Sequence, residues 1–583
     1  MTPTDRSSET AAGENIDPAT VEVIRNRLHD IAQEMQATVM NAAYSPLWQE
    51  SGDLSCALLN WDCEIMGQSE MAMPIHIATM MNSLSQGIEK TGGFEELRPG
   101  DVIFHNDPYS GNNHLPDFLA GRPVYVDETL IGFSAVRGHW VDVGGISPSS
   151  YAIDTDEIIK EGIRIPPTKL YRAGDRNEDL LSAILANTRN SEDRRGDLNA
   201  QIAGVRQGYE RFENLAEKFG IDTLRGATST ILDNEEARMR SRIADLPAGR
   251  YEATDHIDAM DGGLLTIRVT VEVDGNELHI DFEGTTDQVE YGINAPPSCT
   301  EAAAYYGVKQ TINPGFPGTS GEYHPVTVEA PEGSILNPRH PAPVVAGNTE
   351  TSTRVYDVVM HAISKIDEGL AFGASTGTSN ILSYQSLETE QINYTTLPGG
   401  TGACPARDGV NGVRSSVGNL GVQPIERTEQ EYDFVRVRER SLATDSGGAG
   451  RYRGGNGLRR VIDLTDPVEL LICSDRINTR PFGMAGGKQA SSTVQYYTTP
   501  NGERVPLDAK TMVELEAGSH VFLQAPGGGG YGDPKDRPVE DVRADVVAGY
   551  VSRKNAREEY GVVIDDESVK REETRELRDE KVD

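Results

Sequence analysis

The 583-residue sequence predicts an α+β protein: a large multi-lobed chain with an N-terminal mixed α/β metal-site region, followed by β-rich regions with inserted helices. Three observations carry this. Apolar stripes at helical spacing dominate up to about residue 245. Beyond Leu246-Pro-Ala-Gly249 the period falls to two, as in Thr266-Ile-Arg-Val-Thr-Val-Glu-Val. Within the first region, from Asn106 to Asp142, two His-x-x-Asp units stand 25 residues apart in runs of turn residues. These patterns divide the chain into a disordered tail at 1–16, a metal-site α/β domain at 17–245 and a β-rich domain with inserted helices at 246–425. A β-rich domain with glycine-rich turns follows at 426–538, then a C-terminal helix and charged tail at 539–583.

The first helix opens at Asp17-Pro18, with Asp as N-cap and Pro at the first helical position. Ile24, Leu28, Ile31, Met35 and Val39 form one apolar face, and Ser45-Pro46 stops it. Asp53–Leu59 and Cys63–Met66 flank the turn at Asn60-Trp-Asp62 and read as a hairpin. A second helix covers about 75–90, a strand runs from Gly100 into the His/Asp stretch, and another spans Leu130–Val136. Pro166-Pro167 keep Glu161–Leu170 extended. Two long helices follow, Glu178–Phe219 and Thr223–Ile243, the first weakened by Gly196 and Gly204. Asp274-Gly275 turns a hairpin ending near Phe282. Helices at Cys299–Ile312 and Glu350–Ile366 interrupt the strands. From Ile381 the chain reads as strands and glycine-rich turns, until a last helix at Val539–Glu559 and a solvated tail at Asp565–Asp583.

The net charge is −37, spread along the chain. Such a surface disfavours nucleic acid and anionic membranes, and it suits a high-salt cytoplasm, where screening weakens self-repulsion. No run of about 18 apolar residues occurs, so no transmembrane helix is expected. The five cysteines are odd in number and widely spaced, which fits a reduced cytoplasmic protein without a disulfide framework.

The chemistry concentrates in His114-Leu-Pro-Asp117 and His139-Trp-Val-Asp142. Imidazole with carboxylate is the mixed donor set of Zn, Mn or Fe(II) sites, whereas a single His-x-x-Asp would read as loop capping. His114, Asp117 and His139 are the primary candidate ligands; Asp142 completes or supports the set, and Asp53, at a strand start, is an outer candidate. Asp107 and Glu161 are candidate bases or supporting residues. His76, His105 and His340 are read as structural, His76 least securely because it begins a helix near the Asp53 hairpin. Gly373-Ala-Ser375-Thr-Gly377 has the spacing of a nucleophile elbow but is followed by a strand-like segment instead of a helix. Glycine runs at 447–457 and 527–530 lack the Lys-Ser/Thr of a phosphate loop, so they read as turns or close backbone approaches, and the chain shows no ATP site of its own.

Collinear signatures from about residue 17 to 560 carry a resemblance. They include Gly52-Asp-Leu-Ser-Cys56, Asn106-Asp-Pro-Tyr109, His114-Leu-Pro-Asp117, Arg137-Gly-His-Trp-Val-Asp-Val-Gly-Gly145, Glu161-Gly-Ile-Arg-Ile-Pro-Pro167, Ala346-Gly-Asn-Thr-Glu350 and Gly528-Gly-Gly-Tyr-Gly-Asp-Pro534. The sequence resembles the hydantoinase B/oxoprolinase family, which includes N-methylhydantoinase B subunits and is related to acetone and acetophenone carboxylase large subunits. The resemblance implies a B subunit that opens a small cyclic amide (hydantoin, N-methylhydantoin or 5-oxoproline type) at a divalent metal. A hydantoinase A-type partner would use ATP to phosphorylate the carbonyl, in a hetero-oligomer. Two alternatives stay open: a subunit of an acetone- or acetophenone-type carboxylase, and a non-catalytic scaffold with a structural metal. After Asp408-Gly-Val-Asn-Gly412 the family tends to carry His and Asn/Thr; this chain has Val413-Arg-Ser-Ser-Val-Gly-Asn419, which bears on specificity if it lines the pocket.

Overall fold

The computed structural model describes residues 16–315, 318–389, 391–413, 417–418 and 421–579. The tail expected at 1–16 lies outside the described residues except for Ile16, as do 414–416 and 419 of the segment that departs from the family pattern.

Helix α1 (Pro18–Ala42) buries Ile24, Leu28, Ile31, Met35 and Val39 along one face. Asp17 sits at its N-cap, with the carboxylate taking the Thr20 hydroxyl at 3.4 Å and no backbone N–H. Strands β1 (Leu54–Leu59) and β2 (Ile65–Gln68) form the expected hairpin, and α2 (Pro74–Lys90) follows. β3 (Val102–His105), β4 (Asp117–Val126), β5 (Thr129–His139), β6 (Thr168–Arg172) and β7 (Asp175–Arg176) complete a seven-stranded sheet in the order β2-β1-β5-β4-β3-β6-β7. Its neighbouring strands pair antiparallel.

Both faces of this sheet are covered, so β1 is buried along its length. Ala57, Leu119 and Ala135 pack under α2, through Ile77, Met80 and Leu84. Cys56, Leu58, Phe118 and Val136 belong to the main core with α1 and α4.

The helix expected over Glu178–Phe219 is two, α3 (Glu178–Ala186) and α4 (Ser191–Phe219). The break lies at Asn187–Asn190, where Asn190 takes φ +52° and Arg189 turns back onto Asp142. The glycines of α4 serve packing: a Cβ on Gly204 would lie 2.3 Å from Val39 and one on Gly208 2.4 Å from Met35, so they let α4 close on α1. α5 (Ile221–Ala244) completes the helical layer.

The second sheet holds β8 (Gly249–Asp258), β9 (Leu264–Asp274), β10 (Glu277–Asp281) and, after α6 (Pro297–Ile312), β11 (Val326–Glu329), which pairs parallel with β10. A π-helical turn at Gly347–Thr351 leads into α7 (Ser352–Ser364). Next come β12 (Ile381–Ser386), β13 (Ile392–Thr396), α8 (Ile425–Glu431), β14 (Val435–Leu442), β15 (Leu458–Leu464), β16 (Val468–Cys473), β17 (Val494–Thr498), β18 (Arg504–Pro506), β19 (Lys510–Leu515) and β20 (His520–Gln524). They make two sheets, β13-β12-β16-β19 and β14-β15-β20-β17-β18, which share a core of Leu382, Tyr384, Leu470, Ile472, Ile462, Leu464 and Leu523. The first of these takes strands from both sides of residue 425.

The glycine-rich runs are extended segments packed backbone to backbone, the close approach that is the second of the two readings their sequence allows. Gly448 donates to Gly528, Gly528 to Gly455, Gly455 to Thr401 and Ala403 to Gly529. A Cβ on Gly454 would lie 1.8 Å from Gly528 O and one on Gly400 1.9 Å from Gly455 O. Only a residue without a side chain fits at such an axis.

The last helix, expected as one over Val539–Glu559, is α9 (Val539–Val547) and α10 (Arg553–Glu558), parted at Gly549 with φ +77°. The tail expected to be solvated carries α11 (Arg571–Asp579), where Arg578 donates to the carbonyls of Tyr560 and Arg537.

Candidate metal centre

Asp117 opens β4 and His139 closes β5, and the two are direct cross-strand partners. Strand alternation turns both toward the α2 side of the sheet. His114 lies three residues before Asp117, in the turn ahead of β4. One donor atom from each of His114, Asp117 and His139 falls within 4.8 Å of the others, and all three residues are buried. Two ligand types, thus brought to one point by register, are what a divalent cation needs.

Each member is held by its surroundings. His114 Nδ1 lies 2.8 Å from Val345 O, so the backbone fixes the tautomer and leaves Nε2 facing Asp117 Oδ1 at 3.2 Å. Val345 is held in turn: Glu161 Oε1 accepts from the backbone N–H of Val344 at 2.7 Å and of Val345 at 2.9 Å. Asn113 donates to Asp117 Oδ2 at 3.1 Å. The Trp48 indole donates to the His139 carbonyl at 2.7 Å, and a Cβ on Gly138 would lie 2.1 Å from that ring, so glycine there lets the indole pack beneath the strand end. The His139 imidazole stacks on Tyr394 (5.3 Å between centroids) and meets His114 edge-on at 5.0 Å.

His76, read from sequence as structural, is part of this cluster. Its Nε2 lies 3.3 Å from Asp117 Oδ2 and 4.0 Å from Asp53 Oδ1, while Nδ1 lies 3.3 Å from Ser55 Oγ. Burial pushes the Asp117 carboxyl up, but His114 and His76 beside it hold it well below the usual carboxylate range. Glu161 goes the other way: burial raises it to about 8 against the two backbone donors.

Asp53 reaches the rim of the cluster through His76. Asp142 does not join it, because Oδ1 accepts from the backbone N–H of Gly144 and Arg189 and Oδ2 pairs with the Arg189 guanidinium at 2.9 Å. Asp107 caps its own turn, accepting from Tyr109 N and Ser110 Oγ. His105 is a buried structural residue held 3.0 Å from Ser83 O, with burial lowering its imidazole to about 4. His340 is exposed and meets Tyr109 edge-on at 5.1 Å. Sequence reasoning missed Asn348, whose Nδ2 is 3.4 Å from His114 Nε2, and the aromatic wall of Tyr151 and Tyr394. Asn348 sits on the π-helical turn, a local insertion often found at functional sites. A cavity of about 540 Å³, lined by Tyr306, Tyr323, Tyr356 and Phe372, contains none of the cluster residues. Among the described residues no helix is long and apolar enough to cross a membrane.

The chain is similar to proteins of known name over nearly its whole length. It is 32% identical to the caprolactamase subunit beta of Pseudomonas jessenii over 94% of this chain and 97% of that one. The crystal structure of the ATP-dependent caprolactamase from that organism superposes with a TM-score of 0.89 at 30% identity, covering 97% of this chain and 100% of the matched chain. The 5-oxoprolinase of Dictyostelium discoideum is 30% identical over 90% of this chain, which spans 41% of that longer protein. A nucleotide-free acetone carboxylase shares the fold, with a TM-score of 0.85 at 19% identity over 96% of this chain and 82% of that one. The family profile of hydantoinase B/oxoprolinase matches residues 17–534. A match of that extent, with relatives aligned along the same length, settles descent: the chain belongs to the hydantoinase B/oxoprolinase family.

Proposed function

We propose that this chain is the hydrolytic B-type subunit of an ATP-dependent cyclic-amide hydrolase, and that His114, Asp117 and His139 hold a divalent metal. The observation that carries the reading is the buried triangle with His114 Nδ1 committed to Val345 O, which leaves Nε2 and a carboxylate facing one point. Two acceptors aimed at each other in a buried site call for a proton or a cation between them. The donor set suits Zn, Mn or Fe(II). Such an ion, when bound, acidifies its water and polarises a carbonyl.

The chain's own residues supply the rest. His76 stands between Asp117 and Asp53, with Nε2 3.3 Å from one carboxylate and 4.0 Å from the other, placed to orient Asp117. Tyr151 and Tyr394, both buried, wall the cluster and keep bulk water off. Glu161 holds the Val344–Val345 peptide that orients His114, a supporting role more than a basic one. Asp107 shapes its loop. ATP use falls to an A-type partner, in a hetero-oligomer, because the chain carries no phosphate loop. The hydrolase reading is preferred to the carboxylase one because a caprolactamase subunit and a 5-oxoprolinase stand at 30% identity or more, whereas the acetone carboxylase shares the fold at 19%.

The test is metal content and turnover. His114→Ala and His139→Ala should each lose the metal, whereas His340→Ala keeps it, with circular dichroism unchanged in all three. Occupancy should also fall on acidification, since imidazole must shed its proton to ligate. The chain reconstituted with its partner and ATP should open caprolactam, 5-oxoproline or a hydantoin and leave acetone with bicarbonate untouched. A chelated complex that stays assembled should lose turnover; full turnover without the ion would show that the reaction does not need it. Stoichiometric metal retained in both His→Ala variants would remove the site.

A further inference from the structure

The two sheets of the C-terminal half enclose a second polar cluster that the metal centre does not use. Arg460 on β15 stands in the inward row with Ile462 and Leu464 and is 3% exposed. Directly across from it on β14 is a second arginine, Arg440. A bulge between Val437 and Glu439 creates this pairing. Val437 opposes Ile462; counted on without the extra residue, Glu439 would oppose Arg460. Instead the bulge turns Glu439 outward, near Arg459 at 3.9 Å and Ser441 Oγ at 2.7 Å, while Arg438 pairs outside with Asp463 at 3.0 Å. A complementary carboxylate has been exchanged for a like charge, in the arrangement where like charges repel most directly.

Among the described residues neither guanidinium has a carboxylate in ion-pair contact. Arg460 donates through Nη1 to Thr395 Oγ1 at 3.2 Å. Its Nε and Nη2, the Nε and Nη2 of Arg440, and the Tyr384 hydroxyl are buried without a hydrogen-bond partner among the described residues. Glu426 is the acidic group that acts on Arg440, and no carboxylate of the described residues forms an ion pair with either arginine. Burial lowers both guanidinium groups, Arg440 to about 10. An arginine pair left so in a folded core needs a counter-charge.

We propose that Arg440 and Arg460, with Tyr384 and Thr395, form a binding site for a small phosphate-type oxyanion, back to back with the metal centre. Two guanidinium forks and two hydroxyls match a tetrahedral dianion better than a single carboxylate. Arg440, half-buried, is the entrance, and Arg460 is the floor. The β12–β13 hairpin separates the two sites. Tyr384 and Thr395 lie on its arginine side; on the other, Ser383 meets Ser149 at 2.9 Å and Tyr394 stacks on His139. Occupancy would therefore bear on the hairpin that backs the metal cluster. The site rests on its own geometry, independent of the proposed reaction.

The probe is inorganic phosphate, titrated into the full chain by calorimetry at constant ionic strength held with chloride, with acetate as the carboxylate arm. Wild type should bind phosphate saturably and more tightly than acetate. Arg440→Gln should weaken phosphate by about tenfold or more, Arg440→Lys by less, and Arg460→Met at least as much as Arg440→Gln. His114→Ala should bind phosphate as wild type does, which separates this site from the metal centre. If Arg460→Met fails to fold, the rim variant Arg440→Gln decides alone. Absence of saturable binding, equal affinity for acetate, or undiminished phosphate binding by Arg440→Gln overturns the proposal.

Discussion

His114 shows how much of a site lies in what surrounds it. Its ring is set by Val345 O, and Val345 is set by a buried glutamate from a distant loop. Glu161 is raised to about 8 by burial, so in the folded state it keeps its proton well above the roughly 4.3 of an unfolded glutamate. Its contribution to stability is therefore full below that unfolded value and is lost as pH rises through about 8. Glu161→Gln keeps the acceptor for both N–H groups without the ionisation. Its urea midpoint should match wild type near pH 4 and exceed it near pH 9; parallel curves would mean that Glu161 ionises as freely folded as unfolded. His324 is the opposite charge type. It bridges Glu236 through Nδ1 at 2.7 Å and Glu64 through Nε2 at 2.8 Å. Burial lowers it, but the two carboxylates outweigh burial and raise it overall. That staple is fully present below about 6.5, the unfolded value, and fades as pH rises through the folded one. His324→Gln should cost stability at mildly acidic pH and cost little in alkali, measured by urea unfolding at both.

At the scale of elements, the extended glycine segments are the least tolerant part of the fold. A Cβ on Gly454 meets backbone, which cannot swing aside as a side chain can. Gly454→Ala should therefore cost about 3 kcal/mol or more, or abolish soluble expression. Gly502 is the control: it has φ +88° with nothing within 4 Å, so alanine there pays backbone strain alone, about 1 kcal/mol. Equal loss at both positions, by chemical denaturation, would mean that close packing is not what those glycines provide. The helix break at 187–190 belongs to the same scale. Periodicity ran through it because Leu181, Ile184 and Leu185 lead smoothly to the apolar face of α4. The break itself is stabilised by Arg189 on Asp142, a contact between parts of the chain 47 residues apart. That pairing also withdraws Asp142 from the ligand set that its spacing suggested.

For the whole molecule the net charge of −37 dominates. Self-repulsion of that size destabilises the compact state and is weakened by salt. The thermal midpoint should rise steadily in KCl from about 0.1 M to about 1 M, where the Debye length is near 3 Å. A flat or falling midpoint would show that salt weakens attractive ion pairs, such as Arg476 with Asp255 at 2.9 Å, at least as much as it relieves the repulsion.

What the sequence by itself determined was local and chemical. Apolar spacing gave α1, α2 and the first hairpin, because those faces bury against a core whatever lies beyond them. Residue type and separation pointed to His114, Asp117 and His139 as candidates, and their donor atoms do come within 4.8 Å of one another. The signatures along the chain pointed to the family that the comparisons identify. Only the tertiary structure decided the rest, since it depended on contacts between residues far apart in sequence. Strand register set Asp117 against His139, and α2 carried His76 onto Asp117. The turn at Gly347–Thr351 brought Asn348 to His114, and β13 brought Tyr394 to His139. None of these partners shares a local pattern with the residue it meets; their meeting follows from how the sheets and helices pack.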